Sequence, residues 1–192
     1  MKLLATIFLR LEHWQLFLFL FVVPTIAETV GVIFIPTPIQ STQHFGTASI
    51  FWEILTVLLM SFFSLWFWAL GSFLSAIVRP GLRLKMGFFR FALIYPIAYL
   101  IVAIPIFLGP TTDNLLIVIP FHLFAMICIV YDLYFVSKSL VLAQTGKGAT
   151  FYDYAGPFFL IWFYPIGFWI IQPRVNRLFA DRRNAEVFAE TN

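Results

Sequence analysis

Apolar positions in this chain come in five long blocks, residues 16–35, 50–78, 88–108, 115–136 and 156–171, with polar residues gathered between them. Polar residues do not alternate with apolar ones inside the blocks, and the blocks are too long for strands, which argues against a β-barrel. About 20 apolar residues in a helix cross the hydrocarbon core of a bilayer. The first four blocks therefore predict four transmembrane helices. The second is long enough to tilt, and the fourth is expected to continue toward Leu142 beyond the lipid. Connections are short and punctuated: Pro36 and Pro38 in the first, Arg79-Pro80-Gly81 opening the second, Gly109, Pro110 and Asp113 in the third, Gly146 and Gly148 in the fourth. Helices joined so briefly pack as antiparallel neighbours. The expected fold is an all-α, polytopic integral membrane helix bundle. It forms one domain over residues 1–192, with four transmembrane helices and a fifth, C-terminal membrane-embedded segment.

That fifth block is different in kind. Residues 156–171 reach about 24 Å as a helix, less than the ~30 Å of a hydrocarbon core. Pro165 removes a backbone donor and Gly167 loosens the following turn. Arg174 and Arg177 follow at once. Two readings stand open: a re-entrant segment that enters and returns, or a kinked fifth span.

Composition makes lipid the solvent. The chain is 61% hydrophobic and 11% charged, where a soluble domain carries about a quarter charged residues. Aromatic residues make up 20%, with 25 Phe, and a water-soluble fold of this size could not hide that much apolar surface. The length leaves no room for a separate soluble module. The N-terminal stretch lacks a small-residue cleavage site and leads into a full-length apolar block, so it is expected to be retained.

Charge adds orientation. The net charge is +3, and all twelve Lys and Arg lie outside the apolar blocks or at their ends. This is how membrane proteins place cations, and it does not resemble a nucleic-acid patch. Lys2 and Arg10 precede the first block. Arg79, Arg83, Lys85 and Arg90 surround the second connection, and Lys138 and Lys147 flank the fourth. The first and third connections carry none. The positive-inside rule then puts the N-terminus in the cytoplasm of a multi-pass cytoplasmic (inner) membrane protein. A re-entrant fifth block would keep Arg174, Arg177, Arg182 and Arg183 on that same side; a fifth span would not.

Ionisable residues within membrane blocks are costly and therefore informative. Glu28, Glu53 and His122 fall at similar depths near the outer face and are candidates for a polar site in the outer leaflet, able to bind a proton, a cation or a polar headgroup. Their alternative is a structural hydrogen-bond cluster. They sit on three separate blocks with no paired ligand motif, so no metal is assigned. Asp132 lies toward the opposite face, where Arg90 is its natural partner in a structural ion pair. Arg174 and Arg177 share a helix face and could hold lipid phosphates or anchor the chain, with Trp162 and Trp169 nearby. Ser61, Ser64, Trp68, Ser72 and Ser75 recur at three and four, a stripe suited to close helix packing. Cys128 is the one cysteine, which excludes an intrachain disulfide. Asp153 stands where a helix begins and is a candidate cap.

The chain has no HExxH, GxSxG, Walker or dinucleotide-binding signature, so no enzyme or cofactor is assigned. The ending W-F-Y-P-I-G-F-W-I-I-Q-P-R-V-N, Trp162 to Asn176, resembles that of a group of small bacterial multi-pass membrane proteins, some of which also open with a stretch similar to H-W-Q-L-F, His13 to Phe17. That resemblance implies a bacterial origin and no particular chemistry. The expected role is non-enzymatic: packing, assembly or lipid binding, with the bilayer, a second copy or another membrane protein as partner. The alternative is a small transporter or channel-like protein using the outer polar site.

Overall fold

The computed structural model describes residues 2–34, 47–108 and 115–191, and every regular element among them is helical. An amphipathic helix, α1 (Lys2–Arg10), leads into a continuous helical rod. The rod comprises α2 (His13–Phe17), a π-helical stretch over Leu18–Val22, and α3 (Val23–Phe34). α4 (Thr47–Ile77), α5 (Met86–Leu108) and α6 (Leu115–Thr145) follow, then α7 (Phe151–Trp162) and α8 (Tyr164–Thr191). Four stretches are long and apolar enough to cross a membrane: His13–Gly31, Phe51–Ile77, Met86–Ala103 and Val118–Thr145. They coincide with the first four blocks of the sequence pattern.

Lipid is as apolar as Leu, so these helices associate through close packing and buried polar groups. α4, α5 and α6 meet where α4 is thinnest. The Phe89 and Phe135 rings stack with centroids 4.1 Å apart, and they lie against Gly71, where a Cβ would overlap the Phe89 ring. The buried face of α4 carries Trp66, Phe67, Ala69, Leu70 and Leu74. The serine stripe runs along the margin of this face: Ser64 is buried, but Ser61, Trp68, Ser72 and Ser75 are only half-buried. The close approach is therefore made by Gly71, outside the stripe.

The fifth block does not continue as one helix; it turns back on itself. At the start of α7, Tyr154 packs against Tyr134 of α6, 5.5 Å between centroids, and Lys138 lies over both rings. At its end, Ile161 and Trp162 reach the level of Ile129 and Met126. α7 thus runs antiparallel to α6, for about 18 Å. α8 then advances in step with α4: Tyr164 packs on Phe63, Phe168 on Trp66 and Phe179 on Phe73. It runs opposite to the first rod, with Tyr164 against Phe21 and Trp169 against Phe17 and His13. These pairings make α7 and α8 an antiparallel hairpin.

The reversal is local. Phe163 leaves helical geometry, with φ −89° and ψ 59°. Its carbonyl accepts from both Ile166 and Gly167 N–H, each at 3.0 Å. Pro165, which has no N–H to offer, sits where a helix start needs none. Gly167 closes onto the preceding arm, since a Cβ there would overlap the Leu160 carbonyl oxygen. At the other end of α7, Thr150 N–H and Oγ1 both donate to Asp153 Oδ2 at 2.7 Å. These two bonds, side chain first, hold the exposed Asp153 carboxyl below its ordinary pKa. Thr150 is the N-cap and Asp153 its reciprocal partner three residues on, so Asp153 completes a capping box instead of capping the helix by itself.

With the hairpin returned, the cationic residues of α1, the second and fourth connections and α8 gather toward one end of the bundle, called the basic end below. There Arg83 donates to the Val78 and Ala76 carbonyls at 2.9 and 3.1 Å. This satisfies the last turn of α4.

The hairpin depends on Gly167 lacking a side chain. Gly167→Ala is expected to lower stability by about 1–3 kcal/mol through overpacking against the Leu160 carbonyl. Gly156→Ala, where no atom stands within 4 Å, is expected to keep or raise it by up to about 1 kcal/mol. Thermal denaturation of both variants in one detergent checks the pair.

Candidate functional site

The site is built on one buried amide. Gln172 is fully buried where α8 passes between α1 and α4. Its Nε2 donates to the Phe8 carbonyl at 3.0 Å, the Leu11 carbonyl at 3.2 Å and Asn176 Oδ1 at 2.9 Å. Its Oε1 accepts from Trp66 Nε1 at 3.2 Å. The indole nitrogen can only donate and carbonyls can only accept, which fixes the orientation of the amide; its two N–H groups serve three acceptors, so one of them is shared. Asn176 Nδ2 adds a second bond to the Leu11 carbonyl at 3.2 Å. Phe8 lies in the last turn of α1 and Leu11 directly follows it, where helix-end carbonyls have no partner of their own. One side-chain pair thus caps α1, docks α8 and engages the middle of α4.

Because α7 and α8 turn back partway, the space beyond their tip is not filled by side chains of the described residues. A cavity of about 600 Å³, open along one side, lies there. α3 contributes Pro24, Thr25 and Glu28; α4 contributes Thr56, Leu59 and Met60; Leu100 comes from α5, and Met126, Ile129 and Leu133 from α6. The hairpin tip closes it with Ile161, Trp162 and Tyr164. Most of this lining is apolar. Thr25 Oγ1 donates to the Phe21 carbonyl at 2.7 Å and Thr56 Oγ1 to the Trp52 carbonyl at 2.8 Å. Both hydroxyl hydrogens are thereby committed to their own helices, and only acceptor lone pairs remain.

The three outer-leaflet candidates divide. Glu28 lines the cavity; Glu53 and His122 do not. Phe51 and Trp52 pack at Gly31 of α3, and Glu53, one residue on, is half-buried beside that contact. His122 is exposed, and its Nδ1 lies 3.1 Å from Tyr99 Oη, joining α6 to α5. Among the described residues no three His, Cys, Asp or Glu side chains converge as a metal site would require.

The expected Asp132–Arg90 ion pair does not form among the described residues. Arg90 is exposed. Phe89, its neighbour, is the residue turned into the bundle, and one step along a helix is about 100° of rotation. Asp132 is buried at 5% exposure with no hydrogen-bond partner at Oδ1. Arg174 and Arg177 are both exposed toward the basic end, and Trp169 beside them packs at a tilt on His13, 4.6 Å between centroids. Trp162 does not join them: it sits at the hairpin tip, lining the cavity. Of the two Trp residues expected near the arginines, only Trp169 lies there.

The chain matches no protein-family model, no curated protein and no solved structure.

Two variants test the polar groups. Gln172→Leu leaves the Trp66 N–H and the α1 carbonyls without their partner, at about 1–3 kcal/mol for each buried group. It is expected to produce the largest loss of thermal stability of any single change on α8. Asp132→Leu removes a buried carboxyl lacking a partner at one oxygen and is expected to stabilise the fold by about 1–3 kcal/mol, checked by denaturation in detergent.

Proposed function

We propose that this chain is a non-enzymatic membrane protein whose bundle holds a lipid-soluble ligand in the cavity above the hairpin tip. The cavity itself carries this reading. Its volume lies within the roughly 300–1,000 Å³ of small-molecule sites, and it combines an apolar wall with a few convergent polar groups. No nucleophile–base pair lines it: the hydroxyl protons of Thr25 and Thr56 are already donated, and no His or Cys is present there. The transporter alternative called on Glu28, Glu53 and His122 together. With Glu28 alone in the cavity, binding is better supported than passage. We further propose a bacterial inner membrane with the basic end toward the cytoplasm. Basic residues concentrated at one end of a bundle support that orientation.

Two measurements test these readings. Mass spectrometry of the protein released gently from detergent is expected to show retained lipid-sized adducts, and Met60→Trp, which fills the cavity, is expected to remove them. Equal adducts on the filled variant would defeat the proposal. A cysteine placed after Arg183 in a Cys128→Ser background is expected to resist an impermeant maleimide in intact cells and to react after lysis.

A further inference from the structure

We infer that the occupant of this cavity is an organic cation, an ammonium group carried on an apolar body. The inference rests on the binding reading above and adds the chemistry of the ligand. Three observations carry it.

The first is the set of acceptors on the α3 and α4 walls, the Trp162 N–H and Tyr164 O–H donors belonging to the hairpin tip. Glu28 offers a carboxylate. Thr25 and Thr56 offer oxygen lone pairs only, their hydrogens being held by the Phe21 and Trp52 carbonyls. A head with several N–H donors meets acceptors here.

The second is charge. No Lys or Arg lines the cavity, and among the described residues no ion pair to Glu28 is formed. The cationic residues gather toward the basic end, away from the cavity side of the hairpin tip. An anionic head would find no counter-charge and would face Glu28. Glu28 is exposed from the helix surface into this space; a carboxylate within a membrane block is costly without a cation, and a ligand can supply one.

The third is the aromatic lining, Phe21, Phe63, Trp162 and Tyr164. Aromatic faces attract cations by about 0.5–2 kcal/mol each, more when water is excluded. The same rings accept an apolar body, so both parts of an amphiphilic amine are accommodated.

The test uses the full chain in phosphatidylcholine nanodiscs and probes that share an adamantane cage: 1-adamantylammonium, 1-adamantanol and adamantane-1-carboxylate. Saturable binding is read by equilibrium dialysis, with empty discs subtracted. The ammonium is expected to bind at least about tenfold more tightly than the alcohol, and the carboxylate not at all. Glu28→Gln is expected to remove that preference while leaving the alcohol within about twofold; Glu53→Gln, outside the cavity, should change neither. Equal binding of ammonium and alcohol, or a preference that survives Glu28→Gln, would overturn the inference and leave the cavity reading in place. Failure of all probes to bind would overturn both. Repeating the measurement in discs containing phosphatidylethanolamine separates two sources of the same chemistry. Competition there names an aminophospholipid as the ligand; undiminished probe binding names a free amine.

Discussion

The Gln172 amide is the constraint on which the rest of the structure depends. A primary amide in apolar surroundings must place each donor and acceptor against a partner. Gln172 does so with groups from three elements: the end of α1, the middle of α4 and the next turn of its own helix. Because its partners on α1 lie at the basic end, α8 has to travel toward that end. The preceding α7 starts from the same end, so the two arms can only be a hairpin. Polar satisfaction thus fixes a direction of travel that hydropathy leaves open.

The cavity follows from the hairpin's reach. α7 is 12 residues long, about 18 Å, so it fills only part of the bundle's height. Above Trp162 and Tyr164 the walls, among the described residues, are the spanning helices. A fifth span would have filled this volume with side chains. The same economy explains where the polar residues go. Gln172 and Asn176 satisfy α1's open carbonyls, while Glu28 faces a space that none of the described residues fills.

Much of this was legible in the chain. Four spans could be read from block length. The fifth block's shortness, its Pro165 and Gly167, and the arginines beyond it already pointed to two outcomes, and the geometry at Phe163 and Gly167 decides between them. What could not be read was azimuth. Arg90 and Phe89 are adjacent in sequence and face opposite surroundings, so depth alone wrongly suggested a pair with Asp132. Glu28, Glu53 and His122 share a depth but not a direction, and only Glu28 turns to the cavity. Gln172 and Asn176 stood in the quoted C-terminal motif, yet their partners lie more than 160 residues away, beyond the reach of local pattern. Their spacing of four, one helical turn, was the signal that two amides share a face.

The π-helical stretch over Leu18–Val22 has a consequence for this azimuth. Its widened turn, closed by the Val23 N–H on the Leu18 carbonyl, takes one more residue than an α-turn. The rod below it presents His13 and Phe17 to Trp169, and the rod above presents Pro24, Thr25 and Glu28 to the cavity. A descendant that lost one residue here would keep its hydropathy profile, its length class and its orientation. It would also swing its carboxylate by about 100°. Lineages could therefore turn this carboxylate away from the cavity by a single codon deletion, with no change visible in the span pattern.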